Sequence, residues 1–401
     1  YAVVEPGVTW FDLYEAVQGA SFDLMTPCPD LGWGSIIGNS MDSGHTYQQY
    51  GPDYMFPTGF EVVLPDGDLL RTGQGAIPDS TSFHLYKRSL GPSLDPLFIQ
   101  SNLGIVTRMG VWLKRRPAAY APVVLHIDED EDFEQAIDAV RELRLAGHLE
   151  GIPAIYSTMR ACQMVRDAPV AAGALPFTSD ELREIARQAG VGAWSARTAV
   201  WGDRDIVEVR LRRIREAWAR IPSGRVEAPR VYAPDEYDQF TTSAQQITAG
   251  IPTLAAWEST PPWVAHVDVS PVVPLRGEEL RRIVQRVREV FATAGLNFGM
   301  GIMVTGERSA VPIAGVRYDL RDEANIRAAF ELARTLVVEL GAMGYGDGRP
   351  HLEFMDLASD LRSFNDHAHR RFVETIKDAV DPKGILSPGR HGIWPAAYRA
   401  G

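Results

Sequence analysis

Cysteine is scarce in this sequence of 401 residues. Cys28 and Cys162 are its only two cysteines, and they match neither a disulfide framework nor a metal-binding motif. A chain with so few thiols suits a reducing compartment. The cysteine content therefore predicts a cytoplasmic protein without structural disulfides.

Long apolar runs and excess positive charge are also lacking. No apolar run reaches the roughly 18 residues of a membrane span. Lysine and arginine number 40 against 52 acidic residues, which gives a net charge of −12. That charge argues against nucleic acid or an anionic membrane as a partner. The nine histidines form no H-E-x-x-H pattern, and G-x-S-x-G is absent, so we expect neither a catalytic metal nor a serine nucleophile.

Glycine is concentrated in a short stretch after Asp30, which contains Gly32, Gly34, Ser35 and Gly38. Glycine lets the backbone turn sharply or approach a flat ligand closely, and free N–H groups in such a turn can hold a phosphate. A tight turn between two core strands explains the stretch equally well. The spacing is not G-x-G-x-x-G after a strand, so no Rossmann fingerprint is predicted.

Further motifs follow in order along the chain: DSGHTY at 42–47, YGPD at 50–53, GFEVVLPDG at 59–67, LFIQSNLGIVT at 97–107 and DPKGILSPGR at 381–390. Together they resemble the vanillyl-alcohol oxidase and 4-cresol dehydrogenase family. Members are FAD-dependent oxidoreductases that act on para-alkyl phenols. The resemblance is clear in residues 1–117 and 341–401 and weaker between them.

The resemblance implies an α+β fold with two domains. Residues 1–117 would form the second lobe of a discontinuous FAD-binding domain, to which residues 352–401 return. Residues 118–351 would form a substrate-binding cap with a largely antiparallel sheet backed by helices. The family's N-terminal lobe would lie upstream of Tyr1, so we expect it to be missing here, through truncation or through natural loss.

Hydrophobic periodicity predicts the individual elements. In the first segment it predicts a helix after Thr9 and a hairpin around residues 65–67. In the cap it predicts strands at 123–127, 194–200, 264–269, 298–305 and 313–318, and helices across 133–143, 207–218, 280–291 and 326–340. Residues 73–95 and 222–262 are predicted to be irregular. A final helix at 364–380 is expected to turn Phe364, Phe372, Ile376 and Val380 inward.

The resemblance also implies three catalytic residues. Oxidation of a phenol's benzylic carbon proceeds best from the phenolate, which needs a cation, and Arg349 matches the family's phenolate-binding arginine. Asp30 matches an aspartate beside the flavin's reactive nitrogen, and Tyr47 matches a tyrosine near the pocket. A surface arginine, a turn-forming aspartate and a packed core tyrosine are the ordinary alternatives. The family's tyrosine before the arginine is Gly348 here, which we expect to leave room.

The same resemblance predicts the cofactor contacts and the mode of attachment. The candidate FAD-binding residues are Gly32, Gly34, Ser35, Gly38, Asn39, Gly104, Ile105, Val106 and Arg390. Many members attach FAD covalently through a residue that aligns here with Val311 or Pro312, and neither can bond to the ring. Arg308 nearby could only pair electrostatically. We therefore expect FAD to be bound non-covalently.

The expected function is oxidation of a 4-hydroxyphenyl substrate by hydride transfer to FAD. A para-alkylphenol or a 4-hydroxybenzylic alcohol would be the small aromatic partner. Two alternatives stay open: a flavin enzyme for a non-phenolic alcohol or hydroxy acid, which Gly348 favours, and a non-catalytic fragment without FAD, which the missing lobe favours. A homodimer is compatible with the family, as is a cytochrome electron acceptor in place of oxygen.

Overall fold

The computed structural model describes residues 1–49, 57–88, 90–162, 176–227, 230–258 and 260–399. Its strands are β1 (Ala2–Val4), β2 (Leu24–Met25), β3 (Pro57–Val63), β4 (Leu69–Arg71), β5 (Ile105–Val111), β6 (Lys114–Arg115), β7 (Ala119–Ile127), β8 (Ala154–Ser157), β9 (Trp194–Gly202), β10 (Gly224–Glu227), β11 (Val264–Val269), β12 (Val273–Pro274), β13 (Met300–Met303) and β14 (Ser309–Asp319). The mixture of helices with antiparallel sheets confirms the expected α+β class.

The helices are α1 (Trp10–Gly19), α2 (Ile36–Met41), α3 (Phe133–Leu145), α4 (Thr158–Cys162), α5 (Ser179–Ala189), α6 (Arg204–Trp218), α7 (Ser243–Thr248), α8 (Ala255–Glu258), α9 (Gly277–Thr293), α10 (Glu323–Ala342), α11 (Met355–Asp360), α12 (Phe364–Val380) and α13 (Ala396–Arg399). Within the described ranges, no helix is both long enough and apolar enough to cross a lipid bilayer.

The first sheet has four strands in the order β1-β5-β3-β4. The predicted hairpin is the β3–β4 pair, and the predicted first helix is α1. Its N-cap is Thr9, whose hydroxyl accepts a hydrogen bond from the Asp12 amide at 3.1 Å. Asp12 in turn accepts one from the Thr9 amide at 2.8 Å, so both ends of a capping box are present. The apolar side of α1 then packs on the sheet through Trp10, Leu13 and Val17.

The second sheet is antiparallel, with the order β10-β7-β9-β8-β13-β14-β11 and β12 added beside β14. One face packs against α3, α6, α9 and α10, and its core includes Leu125, Ile155 and Ile302. Side chains alternate between the faces of a strand, so Tyr156 and Met303 point to the opposite face. We call this opposite side the open face. It packs against the loop residues around Tyr47.

The predicted cap strands and long helices are confirmed, and three other expectations are wrong. Residues 222–262 contain β10, α7 and α8 rather than irregular chain only. The sequence pattern at 97–107 and 110–113 predicts a helix or a strand pair, but this stretch holds one strand, β5. Helix α12 is present, but Phe364 and Phe372 are exposed instead of inward. Its buried position is taken by Lys377, which is 0% exposed.

Lys377 fastens the C-terminal segment to the first sheet's domain. Its ammonium group donates to the carbonyl of Asn102 at 2.7 Å, to that of Leu386 at 2.9 Å and to the Asp381 carboxylate at 2.7 Å. All three donors of the ammonium are therefore used. The side-chain amide of Asn102 donates back to the Ser387 carbonyl at 2.9 Å. These bonds hold residues 377–387 against the loop before β5.

Candidate active site

A buried ion pair lies at the centre of the candidate site. The Asp30 carboxylate, in the loop before α2, accepts hydrogen bonds from the Tyr47 hydroxyl and from Arg197 Nη2, the latter at 2.5 Å. Tyr47 follows α2, and Arg197 comes from β9 on the open face. The Arg197 side chain is 6% exposed and that of Asp30 is 31% exposed. The pair thus keeps its cation inside the protein and turns part of its carboxylate outward.

Two aromatic rings lie against the guanidinium, and a thioether lies near the Tyr47 hydroxyl. The Cζ atom of Arg197 lies 4.3 Å from the ring centroid of Tyr47 and 5.7 Å from that of Tyr156, both within the range of cation–π attraction. The sulfur of Met303 lies 4.0 Å from the Tyr47 hydroxyl oxygen. The loop residues Asp30 and Tyr47 are therefore anchored on side chains from three strands of the second sheet.

Charges in the site are fixed by these contacts. Burial opposes ionisation of Asp30, but the Arg197 charge and the Tyr47 hydroxyl outweigh it, so the pKa of Asp30 lies below its usual value. Burial, reinforced by the Asp30 charge, holds the pKa of Tyr47 well above its usual value. Burial also raises the pKa of Tyr156. At neutral pH the cluster around Asp30 therefore contains one carboxylate, the Arg197 guanidinium and two neutral phenols.

His45 lies beside Tyr47, and the charges of Asp30 and Arg349 both act on it. Its ring is perpendicular to that of Tyr47, with 6.1 Å between centroids. Burial lowers the pKa of His45 to about 4; the Asp30 charge opposes this shift, and the Arg349 and Arg197 charges add to it. The imidazole is therefore neutral at pH 7. Because Asp30 and Arg349 both act on this ring, the two predicted catalytic residues belong to one neighbourhood.

Arg349 projects from a turn whose backbone is held by hydrogen bonds. Its amide donates to Asp347 Oδ1 at 2.9 Å, and the Gly348 amide donates to the Ser270 carbonyl at 3.0 Å. The Gln100 side chain donates to the Gly348 carbonyl at 2.8 Å, which connects the turn to the first domain. The side chain of Arg349 is exposed. Among the residues that the structure describes, none forms an ion pair with its guanidinium.

The expectation that Gly348 leaves room beside Arg349 is wrong. A Cβ atom at Gly348 would lie 2.7 Å from Cγ2 of Val272. Val272 is held in place through its amide, which donates to the Gly346 carbonyl at 3.0 Å. A β-branched side chain has few rotamers to escape into. Any larger residue at position 348 therefore requires Val272 to move or to be trimmed.

The glycine stretch forms a tightly packed turn that leads into α2. A Cβ atom at Gly32 would lie 2.6 Å from the ring of Phe11, and the Gly34 amide closes the turn by donating to the Leu31 carbonyl at 3.1 Å. Ser35 is the N-cap of α2, and its hydroxyl accepts a hydrogen bond from the Gly38 amide at 3.3 Å. The turn at residues 32–35 and helix α2 form one surface that follows Asp30, which we call the α2 wall.

The other predicted cofactor residues lie further along the same domain. Asn39 is in α2. A Cβ atom at Gly104 would lie 2.5 Å from Val62 Cγ1, so that glycine is required for packing before β5. On β5, Ile105 is 53% exposed and Val106 is buried. Arg390 donates a hydrogen bond to Asp42, the residue that ends α2. The hydrogen bond to Asp42 thus places Arg390 at the C-terminal end of α2.

Comparison with known proteins decides the family. The FAD binding domain family matches residues 1–73. The solved structure of 4-ethylphenol oxidase from Gulosibacter chungangensis, an isoeugenol complex, superposes with a TM-score of 0.91 at 31% identity, over 99% of this chain and 77% of that one. The chain belongs to the vanillyl-alcohol oxidase and 4-cresol dehydrogenase family.

Two further relatives agree with this assignment. The crystal structure of p-cresol methylhydroxylase with substrate bound has a TM-score of 0.90 at 28% identity, covering 98% of this chain and 76% of that one. The flavoprotein subunit of 4-cresol dehydrogenase (hydroxylating) from Pseudomonas putida is 29% identical over 404 residues, which are 98% of this chain and 75% of the relative. This member of the family is an FAD-dependent oxidoreductase of the p-cresol methylhydroxylase type.

The residues beside the α2 wall fit a flavin. Several buried polar atoms of residues 26–46 and of Arg197 have no hydrogen-bond partner within the described part of the chain, namely Thr26 Oγ1, Asn39 Nδ2, Thr46 Oγ1 and two nitrogens of Arg197. Buried polar atoms are normally satisfied, and a flavin ring offers both carbonyl acceptors and N–H donors. The fit rests on these polar atoms, because Gly32 packs against Phe11 and Gly34 against Trp10.

Sequence reasoning missed Arg197 and His45. A signal for Arg197 was present in the sequence. It is the one charged residue of the strand Trp194–Gly202, whose other residues are uncharged. A charged residue in such a strand is almost never fully buried unless it is paired. His45 lies within the quoted DSGHTY motif, but nothing in its spacing indicated that it would be a buried neighbour of Tyr47.

Proposed function

We propose that this flavoenzyme oxidises a 4-hydroxyphenyl substrate, either a para-alkylphenol or a 4-hydroxybenzylic alcohol, by hydride transfer to FAD. The main support for this proposal is that the two cations of the site differ in burial and in ion pairing. Arg197 is buried and paired with Asp30, whereas Arg349 is exposed and has no ion-pair partner among the described residues. An unpaired guanidinium is suited to an anionic ligand such as a phenolate. The relatives named for 4-ethylphenol and p-cresol support this substrate class.

The chain's own residues would then divide the work. Arg349 binds the phenolate oxygen and stabilises the anionic form from which oxidation proceeds. Asp30, Tyr47 and Arg197 lie at the reacting end, where a bound flavin supplies the hydride acceptor. The Asp30 carboxylate is an acceptor for hydrogen bonds, because its pKa lies below the usual value. The His45 ring lies beside Tyr47 and is neutral at pH 7, so it adds no charge to the site.

Replacing Arg349 tests this assignment. Arg349→Ala removes the cation that would balance the phenolate, so flavin reduction should slow by about 10²–10³-fold, with FAD content unchanged. Anaerobic rapid mixing with 4-methylphenol or 4-hydroxybenzyl alcohol measures the bleaching of the flavin. Arg212→Ala is the matched control, since that side chain is 62% exposed on α6, on the helix-covered side of the second sheet. Unchanged flavin reduction in Arg349→Ala would disprove the phenolate role.

A non-phenolic substrate is the second candidate, and the Gly348–Val272 contact favours it. With Val272 Cγ2 filling the Cβ position, no side-chain hydroxyl assists Arg349 from residue 348. A guanidinium alone also binds a carboxylate well. Comparing 4-methylphenol, its O-methyl ether and a 2-hydroxy acid as reductants separates the candidates. Faster reduction by the hydroxy acid would replace the phenol proposal with this second one.

We also propose that FAD is held without a covalent bond. Of the two aligned positions, Pro312 pairs with Ile302 on the helix-covered side, and Val311 pairs with Met303 on the open face but has no nucleophile. Acid-precipitated protein should therefore release its flavin into the supernatant. A yellow pellet would contradict this proposal. His266, which pairs with Arg317 on the open face, would then be the first residue to replace.

The division into domains and the electron acceptor are part of the same proposal. Residues 1–117 and 352–401 would hold FAD, and residues 118–351 would cover the substrate.

The P. putida relative is named as a flavoprotein subunit, and this name supports a separate partner that accepts the electrons. We propose a cytochrome as that partner. A homodimer of the flavoprotein is compatible with this proposal. Comparing reoxidation of the reduced enzyme by oxygen and by cytochrome c distinguishes the acceptors.

A further inference from the structure

Arg197 is a buried cation that no sequence motif predicted. It lies in the middle of β9, opposite Ala154 of β8 and Val124 of β7, so it projects from the interior of the second sheet rather than from its edge. Its side chain is only 6% exposed. Burying a guanidinium is costly unless it is paired. A cation at this place must therefore be balanced by its contacts with the loop at Asp30.

We propose that Arg197 is the positioning residue that fixes the Asp30 carboxylate as the hydrogen-bond acceptor of Tyr47. This inference rests on the proposed function, in which Asp30 lies at the reacting end of the site. Arg197 itself need not touch the substrate. Its effect passes through Asp30, whose two oxygens are divided between Arg197 Nη2 and the Tyr47 hydroxyl.

The way in which Arg197 is held supports this role. One nitrogen, Nη2, bonds to Asp30, while Nε and Nη1 are buried and have no hydrogen-bond acceptor in the described part of the chain. The rings of Tyr47 and Tyr156 lie against the guanidinium instead. A planar cation is thus oriented by two rings and a single carboxylate. Its direction is set by the same tyrosine whose hydroxyl it helps to place.

No other group near Asp30 can replace this charge. Asp30 and a few titratable groups shift one another's pKa values. These groups are Cys28 of the same loop, His45 and Tyr47 after α2, Tyr156 of β8 and Arg197 of β9. The histidine, the tyrosines and the thiol are neutral at pH 7, because burial lowers the pKa of His45 and raises those of the others. Within the described ranges, Arg197 forms the one ion pair with Asp30.

The first experiment compares Arg197→Met with Arg197→Lys in the FAD-loaded protein. Methionine keeps much of the side-chain length but removes the positive charge. Lysine keeps the positive charge but lacks the planar guanidinium group. Arg197→Met should slow flavin reduction at pH 7 about a hundredfold, as expected for a displaced catalytic group. The apparent pKa of Asp30 in the pH profile should rise by about one to three pH units. Arg197→Lys should keep the profile of the parent protein.

The second experiment does not depend on activity. It measures the thermal midpoint of the flavin-free protein between pH 4 and 8. In Arg197→Met the buried carboxylate has no counter-charge, so its folded pKa lies above its unfolded pKa, near 3.9, and the variant should lose stability as the pH rises from the unfolded to the folded pKa. The deficit relative to the parent should therefore be larger at pH 8 than at pH 4. In the double variant Arg197→Met/Asp30→Asn this pH dependence should disappear.

Two outcomes would overturn the inference: a deficit of Arg197→Met that is equal at every pH, or a pH profile of flavin reduction identical to that of the parent. Failure of the proposed function is recognised separately. If Arg349→Ala reduces its flavin normally, the phenol assignment fails. The stability profile of Arg197→Met would still decide whether Arg197 fixes the charge of Asp30.

Discussion

Among the described residues, two short carboxylate–cation pairs have a buried lysine or arginine, and their surroundings differ. Asp30 pairs with Arg197 in the candidate site, and Asp381 pairs with Lys377 where the C-terminal segment meets the first domain. Both pairs have similar lengths, 2.5 Å and 2.7 Å. Distance alone therefore does not distinguish a pair that belongs to a site from one that holds the fold together.

Hydrogen-bond satisfaction does distinguish them. Lys377 and Asp381 are both 0% exposed, and every donor of the ammonium has an acceptor. Asp381 also accepts the amides of Ile385 and Leu386 at 3.0 and 2.9 Å. At the other pair, Arg197 leaves two nitrogens unused and Asp30 stays 31% exposed. A closed network stabilises a fold, whereas an incomplete one next to an open carboxylate is available to a ligand.

Breaking the closed network should produce the largest loss of stability. Lys377→Met leaves Asp381 buried without its counter-ion and two backbone carbonyls without a donor. Removal of one partner from a buried pair costs about 3–5 kcal/mol, so the midpoint of urea unfolding should fall strongly. The rate of flavin reduction by the folded fraction should change little, because Lys377 does not contact the Asp30 site.

Lys383→Met is the matched control for that change. Lys383 lies six residues further along the same segment and is exposed. Substitutions at such positions usually change the unfolding free energy by less than about 0.5 kcal/mol. Equal stability of the Lys377→Met and Lys383→Met variants would contradict the view that the Lys377 network fastens the C-terminal segment.

Periodicity predicted most of the fold, because it reports which face of an element is buried. Helices α1, α3, α6, α9 and α10 were all expected from apolar spacing, and the structure has them. It failed for α12, where the apolar residues Phe364 and Phe372 are exposed and Lys377 is inside. Apolar spacing assigns every lysine to the surface. It cannot represent a charge whose burial is compensated by partners elsewhere in the chain.

The candidate site was predictable only where it depends on motifs. Asp30 and Tyr47 were both expected from the resemblance, and they form a direct hydrogen bond. Their partner Arg197 is 167 positions away from Asp30 along the chain, on a strand of the second sheet. Local pattern carries no information on such a pairing. The register of β9 against β8 and β7 brings the guanidinium to the carboxylate, and that register is a property of the folded sheet.

The comparison becomes sharper when each carboxylate is neutralised at nearly constant volume. Asp381→Asn leaves the Lys377 charge buried and unpaired, so we expect a loss of about 3 kcal/mol. Asp30→Asn also leaves a buried guanidinium without its counter-charge, but the loss should be smaller, because solvent reaches position 30 and the rings of Tyr47 and Tyr156 still face Arg197. Its effect should instead be on flavin reduction, which we expect to slow at least about a hundredfold. Denaturant unfolding and anaerobic rapid mixing measure the two effects on the same preparations.

The pH dependence of stability gives the sign of each contribution. The pKa values of Asp30 and Asp381 are both lowered in the folded protein, since the facing cation outweighs the cost of burial. Each carboxylate therefore stabilises the fold above its unfolded pKa, near 3.9, and that stabilisation is lost as the pH falls below it. Asp381→Asn should flatten the loss of stability between pH 5 and 3 more than Asp30→Asn does. If Asp30→Asn flattened it more, the Asp30 pair would be the main stabilising one, and the distinction between a site pair and a structural pair would be wrong.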